Sequence, residues 1–442
     1  MYKSFVYRKS PAFVQSVILS LFGLLKLLIR QNKSVSDFQR VLESHEYDHS
    51  KLDSYIKGKR EEVVSNVLKN VPYYKGNQSK PVQFPLLTKN DVREHKEMFL
   101  NENQAGPVVK GSTSGTTGTP LEIPQSIDSV RKERAFANRQ RAWAGFKKGD
   151  KRAWIRGDLV VPIEDSCQPF WRYSWFERML VMSSFHLSQN NIPLYLDEME
   201  KYGVDIIQAY PSSITTIAKY LKSNGQFYKG KLKSIITSSE LLTKEDREVI
   251  EERFQCKVFD WYGQFERVAA IANCEHGRYH ILTDYSDVEL IPDENGNIEI
   301  VGTNFNNLHL PLIRYRTGDH VTLSSDQSCP CGRVYPIVES IDGRKVDYIF
   351  NSKKEKVFAL DQCVKGVSGV LGSQYIQKEY GKISVHVVCD DQFGSEQESK
   401  LIENVKDRLG RDIVVETVQV ESLIRTKNGK VKQAICLVEE DQ

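Results

Sequence analysis

An α/β fold, with a large N-terminal domain and a smaller α+β C-terminal domain, is what this sequence predicts, and three observations carry it. The first is an alternation of short apolar strands and capped helices between Val204 and Asp260. Strand, helix and strand at such lengths build a parallel sheet with right-handed crossovers. The second is a separate strand–helix–strand pattern in the C-terminal part of the chain. The third is size, since 442 residues exceed what one hydrophobic core usually holds.

Composition narrows the class. Apolar residues make up 40% and charged residues 27%, which excludes collagen, a coiled coil and wholesale disorder. Sixty-one Lys+Arg against 58 Asp+Glu leave +3, so no basic excess calls for a nucleic-acid partner. A mean hydropathy of −0.44 excludes a polytopic membrane protein. Eight cysteines are too sparse for a disulfide scaffold. These features predict a soluble, globular protein of the reducing cytoplasm.

The first element is a helix over Ala12–Ile29, a mostly apolar run preceded by Lys3, Arg8 and Lys9. Its charged start and apolar centre resemble a signal sequence, but no small-x-small cleavage pattern follows. At about 100° per residue, Gln15, Ser16, Ser20, Gly23, Lys26 and Arg30 fall in one wedge of roughly 140°. A transmembrane span needs no such wedge, and Lys26 would be costly in hydrocarbon. The favoured reading is an amphipathic helix packed on its own domain. Peripheral contact through 12–29, at the inner membrane surface, is the alternative that the wide apolar face keeps open.

From Val35 to Lys75 the pattern is helical and ends at Val71-Pro72-Tyr73-Tyr74, where proline stops a helix. An extended stretch at Phe84–Leu87 follows, with Thr88 or Asn90 as N-cap of the next helix. In the middle, Val204–Ala209 is a strand stopped by Pro211, and Ser212 and Ser213 offer caps to a helix through Leu221. Lys233–Thr237 is a second strand. Thr243 with Asp246 resembles a capping box and opens a helix to Phe254; Cys256–Asp260 is a third strand. Ligands of such sheets bind beyond the carboxyl ends of strands, where Ser238-Ser239-Glu240 and Tyr262-Gly263-Gln264-Phe265-Glu266 fall. Beyond a boundary near Ile341–Asp347, Ile383, Val385 and Val387 alternate as a strand. Ser395 and Glu398 then cap a helix with Leu401, Ile402, Val405 and Leu409 on one face, closed by Gly410, and Ile413–Val420 is a further strand. The predicted domains are 1–341 and 342–442.

The strongest local signal is Gly111–Pro120, with three glycines and six hydroxyl side chains in ten residues. Glycine lets backbone approach an anion, and hydroxyls and amides donate to phosphate oxygens. No Gly-Lys-Ser/Thr follows, so it is not a Walker loop. By composition alone the run reads as a flexible linker. In order with four later motifs it resembles the phosphate loop of the adenylate-forming superfamily of acyl-CoA synthetases and adenylation domains. Tyr262-Gly263-x-x-Glu266 resembles the adenine and magnesium motif, and Tyr315-Arg316-Thr317-Gly318-Asp319 the ribose motif. Gly343-Arg344 with Asp347 resembles the hinge region, and Thr426-x-x-Gly429-Lys430 the C-terminal lysine loop. Val71–Tyr74, Phe84–Lys89 and Cys329-Pro330-Cys331-Gly332-Arg333 narrow the likeness to the phenylacetate–CoA ligase-like family, which includes capsule-polysaccharide biosynthesis members.

That resemblance implies activation of a carboxylic acid by ATP to an acyl-adenylate and pyrophosphate, on a large adenylate-forming domain under a small mobile one. Charge developing on phosphate oxygens must be offset by fixed donors and cations. By resemblance, Thr113, Ser114, Gly115, Thr116, Thr117 and Gly118 hold the β- and γ-phosphates, and Glu266 holds Mg²⁺, a hard cation suited to carboxylate. Tyr262 stacks on adenine, with Ser239, Glu240 and Asp260 along its edge. Asp319 accepts from the ribose hydroxyls, Arg344 reaches ribose or phosphate, and Lys430 bridges carboxylate and α-phosphate. Read without the family, Lys427–Lys432 is a solvated hairpin turn, and Asp319 and Arg344 are ordinary surface charges. Two positions depart from the family: Phe265 stands where Thr or Ser precedes the glutamate, and Val346 stands at the hinge. The first removes a hydroxyl contact, and the second puts the thioesterification half-reaction in question.

Cys274-x₅-His280 and Cys329-x-Cys331 supply four ligands suited to a tetrahedral, structural zinc, with His276 as an alternative to His280. Trp154, Arg156, Phe170, Trp171, Trp175, Phe185 and His186 crowd the segment that lines the acyl pocket in the resembled fold. The expected activity is acyl-adenylate formation followed by transfer to CoA, a carrier thiol or a sugar, in capsule or surface-polysaccharide biosynthesis. An aryl-CoA ligase and a catalytically reduced nucleotide-binding scaffold are the alternatives.

Overall fold

The computed structural model describes the chain except for residues 3, 31, 76–83, 105, 113–120, 166, 345–347, 358–359, 427 and 439–442. The chain opens with α1 (Phe5–Lys9), α2 (Ala12–Arg30), α3 (Lys33–His45), α4 (His49–Asn70) and α5 (Lys89–Glu94). A hairpin of β1 (Val108–Ser112) and β2 (Glu122–Ser126) leads into α6 (Ile127–Trp143). Next come β3 (Arg152–Arg156), β4 (Trp171–Ser174), β5 (Met179–Ser183), α7 (Ile192–Tyr202), β6 (Ile206–Ala209), α8 (Pro211–Ser223), β7 (Ser234–Ser238) and α9 (Lys244–Phe254). Seven strands follow: β8 (Lys257–Gly263), β9 (Ala270–Asn273), β10 (Tyr279–Ile281), β11 (Ser286–Pro292), β12 (Ile298–Asn304), β13 (Tyr315–Leu323) and β14 (Ile337–Arg344). The remainder holds β15 (Ile349–Phe350), β16 (Lys356–Val357), β17 (Val370–Glu379), β18 (Lys382–Cys389), α10 (Ser395–Leu409), β19 (Val414–Gln419) and β20 (Ala434–Cys436).

These elements form two compact units. One comprises Met1–Gly23, Lys148–Val258 and Lys345–Gln442; the other comprises Leu24–Lys147 and Phe259–Arg344. In the first unit β3 pairs in parallel with β5 and β6, and β6 with β7. Strand β4 closes the outer edge as an antiparallel partner of β5. Ile207 and Ile235 of the sheet bury against Ile214, Ile217 and Leu221 of α8 and Ile250 and Phe254 of α9. Thr243 caps α9 as the sequence predicts, its hydroxyl accepting from Asp246 N at 3.1 Å. The capping of α8 differs. Ser212 and Ser213 lie inside the helix, Tyr210 occupies the N-cap position without a side-chain bond, and Glu240 accepts from Ser212 N at 3.0 Å. A carboxylate there suits both the orphan amides and the positive end of the helix dipole.

The C-terminal sheet of the same unit runs β19-β18-β17-β20, with α10 burying Leu401, Val405 and Leu409 on its core. Strands β17 and β18 are antiparallel, while β19 and β20 join them in parallel. The predicted cap at Ser395 and Glu398 falls one residue late. Gly394 is the N-cap, and its amide donates to the Gln397 side chain at 3.1 Å.

The second unit carries an antiparallel sheet from β8 through β9, β10, β14, β13 and β12 to β11. The parallel pairings of β3 with β5 and β6, and of β6 with β7, lie in the first unit. Thr88 and Asp91 make a reciprocal capping box at α5. Within this unit a fully buried ion network joins two helices and two loops. Arg139 of α6 donates to both carboxylate oxygens of Asp284, and Tyr335 Oη and His45 Nε2 lie 2.8 and 2.9 Å from Asp284 Oδ2. No sequence pattern announced it, because its members are far apart in the chain.

Candidate functional site

In the first unit, Lys430 sits half-buried in a tight loop between Arg425 and Val431, which form an isolated antiparallel bridge. Thr426 N donates to Lys430 O at 2.8 Å, Gly429 N to Thr426 O at 2.8 Å, and Lys430 N to the Thr426 hydroxyl at 3.2 Å. Gly429 has φ +74°, a left-handed conformation that glycine adopts without penalty. Arg425 Nη1 donates to Gly429 O at 2.8 Å, and burial lowers the pKa of this guanidinium. The turn predicted from Lys427–Lys432 is therefore present, but it is docked rather than solvated.

The docking partners lie at the carboxyl ends of three parallel strands. After β3, Gly157 packs so closely that a Cβ would stand 1.8 Å from the Asn428 carbonyl oxygen. After β6, Tyr210 Oη donates to Asn428 O at 2.9 Å. After β7, Glu240 accepts from Val431 N at 3.0 Å while its other oxygen caps α8. Ser239 takes φ +75°, a strained conformation for a non-glycine residue, and its hydroxyl accepts from Arg156 Nη2 at 2.7 Å. The Arg156 guanidinium lies 4.9 Å over the Trp154 ring and 4.8 Å over Tyr210. Ser239, Glu240, Arg156 and Lys430 thus belong to one cluster where strand ends place ligands. Gly157, Tyr210 and Arg425 complete it, and sequence reasoning missed all three.

The aromatic segment divides. Phe170 stacks on His186 at 4.8 Å, and Ser183 Oγ lies 2.7 Å from His186 Nδ1, with burial lowering the histidine pKa. Trp171 is buried in the core. Trp175 lies exposed at the tip of the β4–β5 hairpin, its ring 5.9 Å from that of Phe13.

In the second unit, Tyr262 at the end of β8 donates to Asp319 Oδ2 of β13 at 2.7 Å, and Gln264 donates to the same phenol oxygen. Burial, then the adjoining carboxylate, holds the Tyr262 pKa well above its ordinary value. Thr317 Oγ1 accepts from Asp319 N at 3.0 Å and fixes the aspartate backbone. Glu266 is buried and accepts from Tyr315 Oη at 3.2 Å. Asp260 is also buried and accepts from Tyr279 Oη at 3.1 Å. Phe265, half-exposed, lies over Gly111: a Cβ there would stand 2.2 Å from the ring. The phenylalanine that replaces the family hydroxyl is therefore packed against the strand leading into the glycine-rich loop, and Gly111 makes the room. Residues Thr113, Ser114, Gly115, Thr116, Thr117 and Gly118, the hinge positions Val346 and Asp347 and the side chain of Arg344 lie outside the described residues; the backbone of Arg344 pairs with Asp319 between β14 and β13.

Cys274, His280, Cys329 and Cys331 bring their ligand atoms within 4.8 Å of one another in this unit. Cys274 Sγ and Cys329 Sγ are 3.6 Å apart, and Cys331 Sγ is 3.4 Å from His280 Nε2. Metal–sulfur bonds of about 2.3 Å in a tetrahedron give an S···S edge of about 3.8 Å, so the donor set fits zinc. His280 Nδ1 lies 3.4 Å from the Tyr335 carbonyl oxygen, the partner that turns Nε2 toward the thiols. Burial brings the His280 pKa down to about 4, which keeps the imidazole neutral. His276 is exposed and outside the cluster, so the choice left open by the sequence falls on His280.

Comparison with known proteins meets this geometry from outside. The chain is 26% identical to Protein CapK of Staphylococcus aureus over 98% of its length and 99% of the relative. Residues 349–436 match the family model of the CapK C-terminal domain. The chain is thus similar to CapK and, more distantly, to a phenylacetate–CoA ligase-like protein. It is also 26% identical to phenylacetate-coenzyme A ligase of Pseudomonas putida over 59% of this chain and 61% of the relative. The fold is that of the solved 2-hydroxyisobutyryl-CoA ligase in the postadenylation state in complex with R3-HIB-AMP. That similarity has a TM-score of 0.64 at 17% identity, over 88% of this chain and 90% of that one.

Proposed function

We propose that the protein is an adenylate-forming ligase that activates a small carboxylic acid with ATP. The carboxylate oxygen attacks the α-phosphorus, the bond to the β-phosphate oxygen breaks, and acyl-adenylate and pyrophosphate result. The observation that carries this reading is the seating of the Lys430 loop at the carboxyl ends of β3, β6 and β7, locked by Gly157, Tyr210 and Glu240. An ammonium held there offsets charge developing on the attacked phosphate. Tyr262 and Asp319 would receive the adenosine half of the nucleotide. Glu266 would hold Mg²⁺, which neutralises phosphate charge when bound. Arg156 and His186 would face the acid and orient a polar group on it.

Transfer of the acyl group to CoA is the favoured second step, because two of the named relatives are CoA ligases. A carrier thiol or a sugar is the acceptor in a capsule-polysaccharide role, which the CapK likeness supports. The Cys274–His280–Cys329–Cys331 set would bind a structural zinc, since protein fills all four positions. We place the activity in the cytoplasm.

ATP–pyrophosphate exchange against a panel of aromatic, hydroxy and amino acids, each with and without CoA, tests the reading. Exchange with one acid supports adenylation, and CoA turnover then decides the acceptor. Silence across the panel from a protein that still binds ATP favours the scaffold.

A further inference from the structure

The N-terminal helix faces the wrong way for an ordinary packed helix. Its polar wedge is the buried side: Gln15, Ser16 and Ser20 are at most 3% exposed. The reason lies in β4, whose outer edge has no strand beside it among the described residues. The Ser16 hydroxyl accepts from Tyr173 N at 3.2 Å, Ser20 donates to Tyr173 O at 3.2 Å, and Ser20 accepts from Trp175 N at 3.0 Å. Arg172 donates to the Gln15 side chain, which donates in turn to Tyr7 O at 2.8 Å. Helix α2 therefore satisfies the backbone groups that an open sheet edge leaves unpaired. Gly23 is glycine for the same reason, since a Cβ would meet Glu177 Oε2 at 2.6 Å.

The consequence is an apolar face turned outward. Phe13, Leu21, Leu25 and Leu28 are 71, 58, 53 and 69% exposed. Phe5 and Val6 of α1 and Trp175 and Phe176 of the β4–β5 hairpin are exposed as well, and the Phe13–Trp175 ring contact joins helix to hairpin. Charge supplies the second observation. The first 30 residues hold five basic residues and no acidic one, although the whole chain balances to only +3. Lys9 is exposed; Arg8 is exposed too and pairs with Glu164, and Glu177 is the acidic residue nearest Gly23. An apolar helical face beside a tryptophan-tipped hairpin, in a segment of uniform positive charge, matches the interface of an anionic bilayer.

We infer that α1, α2 and the β4–β5 hairpin dock the protein on an anionic lipid surface, with α2 lying in the plane of the interface. A spanning orientation is excluded by the polar face, which would have to leave β4 to enter hydrocarbon. The inference is independent of the proposed ligase activity, because no residue in it belongs to the candidate site.

The test is co-sedimentation of the full chain with vesicles of phosphatidylcholine and phosphatidylglycerol (7:3), compared with pure phosphatidylcholine and with added salt. Binding to the anionic vesicles, at least tenfold weaker on the neutral ones and at high salt, is expected. The triple variant Phe13→Ser, Leu21→Ser, Leu25→Ser should lose at least tenfold in partition while keeping its circular dichroism and urea midpoint. Equal sedimentation of variant and wild type overturns the inference, as does a wild type that ignores anionic vesicles. A concentration-dependent dimer that the variant abolishes, without vesicle binding, also overturns it by assigning the face to a second copy of this chain.

Discussion

Gly157→Ala isolates the seating of the lysine loop from everything else in the molecule. The added methyl would stand 1.8 Å from Asn428 O and 2.8 Å from Gly429 Cα, where ordinary contacts begin near 3.4 Å. Both obstacles are backbone atoms, so no side-chain rotation relieves them, and the loop must retreat by about 1.6 Å. A misplacement of about 1 Å at a reacting centre typically costs about 10²-fold in rate. Exchange should therefore fall by at least about 10²-fold. Stability should drop by only about 1 kcal/mol, the worth of a displaced hydrogen bond such as Tyr210 Oη to Asn428 O. The assay is ATP–pyrophosphate exchange with the acid that gives the strongest signal, beside a urea titration of the same preparation. Gly58→Ala is the matched control, since nothing lies within 4 Å of a Cβ there. Exchange within threefold of wild type in Gly157→Ala would refute the claim that this seating is the adenylating geometry.

Lys430→Ala should abolish exchange while ATP binding, measured by calorimetry, stays within a few-fold of wild type; surviving exchange would remove the lysine from the mechanism. Asp284→Asn leaves the buried Arg139 with the more distant Glu46 carboxylate, 3.9 Å away, as its counter-charge and should cost about 3 kcal/mol, read as a lower urea midpoint. Burial alone would raise the Asp284 pKa, but Arg139 and His45 overcome it and bring the carboxyl down to about 2 from its ordinary 3.8. A depressed carboxyl stabilises the fold above its unfolded value and loses that contribution as pH falls through the folded one. The gap between wild type and Asp284→Asn should therefore narrow by about 2 kcal/mol between pH 4 and pH 2; a gap constant over that window contradicts the assignment. Elemental analysis should find one zinc per chain, lost in Cys331→Ser, and chelation should lower the melting temperature of the wild type alone.

What could be read from the sequence was what neighbours along the chain decide. The caps at Thr88 and Thr243 are local hydrogen bonds between residues three apart, and both are present. The cap of α8 comes instead from Glu240, beyond the next strand, so Ser212 and Ser213 attracted a role that they do not fill. Gly157, and the packing role of Gly111, were illegible for the same reason. Each is glycine because of a residue far away in the chain, Asn428 in one case and Phe265 in the other. The zinc-type cluster was legible as spacing, yet the choice of His280 over His276 needed β10 and the Tyr335 carbonyl to aim the ring. Helix α2 was legible as amphipathic, but its polarity was inverted by an exposed sheet edge that hydropathy cannot report.

The rival reading, a nucleotide-binding scaffold, rested on Phe265 and on the hinge valine. Phe265 does not mark decay at this position: its ring fills the space over Gly111, and its carbonyl accepts from Gln125 at 3.2 Å. A hydroxyl at this position has been exchanged for packing against Gly111 of β1. A scaffold, moreover, has no use for a lysine loop secured by a tyrosine hydroxyl, a helix-capping glutamate and two closely packed glycines. Strain and close backbone packing cost stability and persist where geometry matters to chemistry. The seat of the Lys430 loop has both, strain at Ser239 and close backbone packing at Gly157. Binding alone would be satisfied by Tyr262 and Asp319, so the extra order around Lys430 is the argument for catalysis.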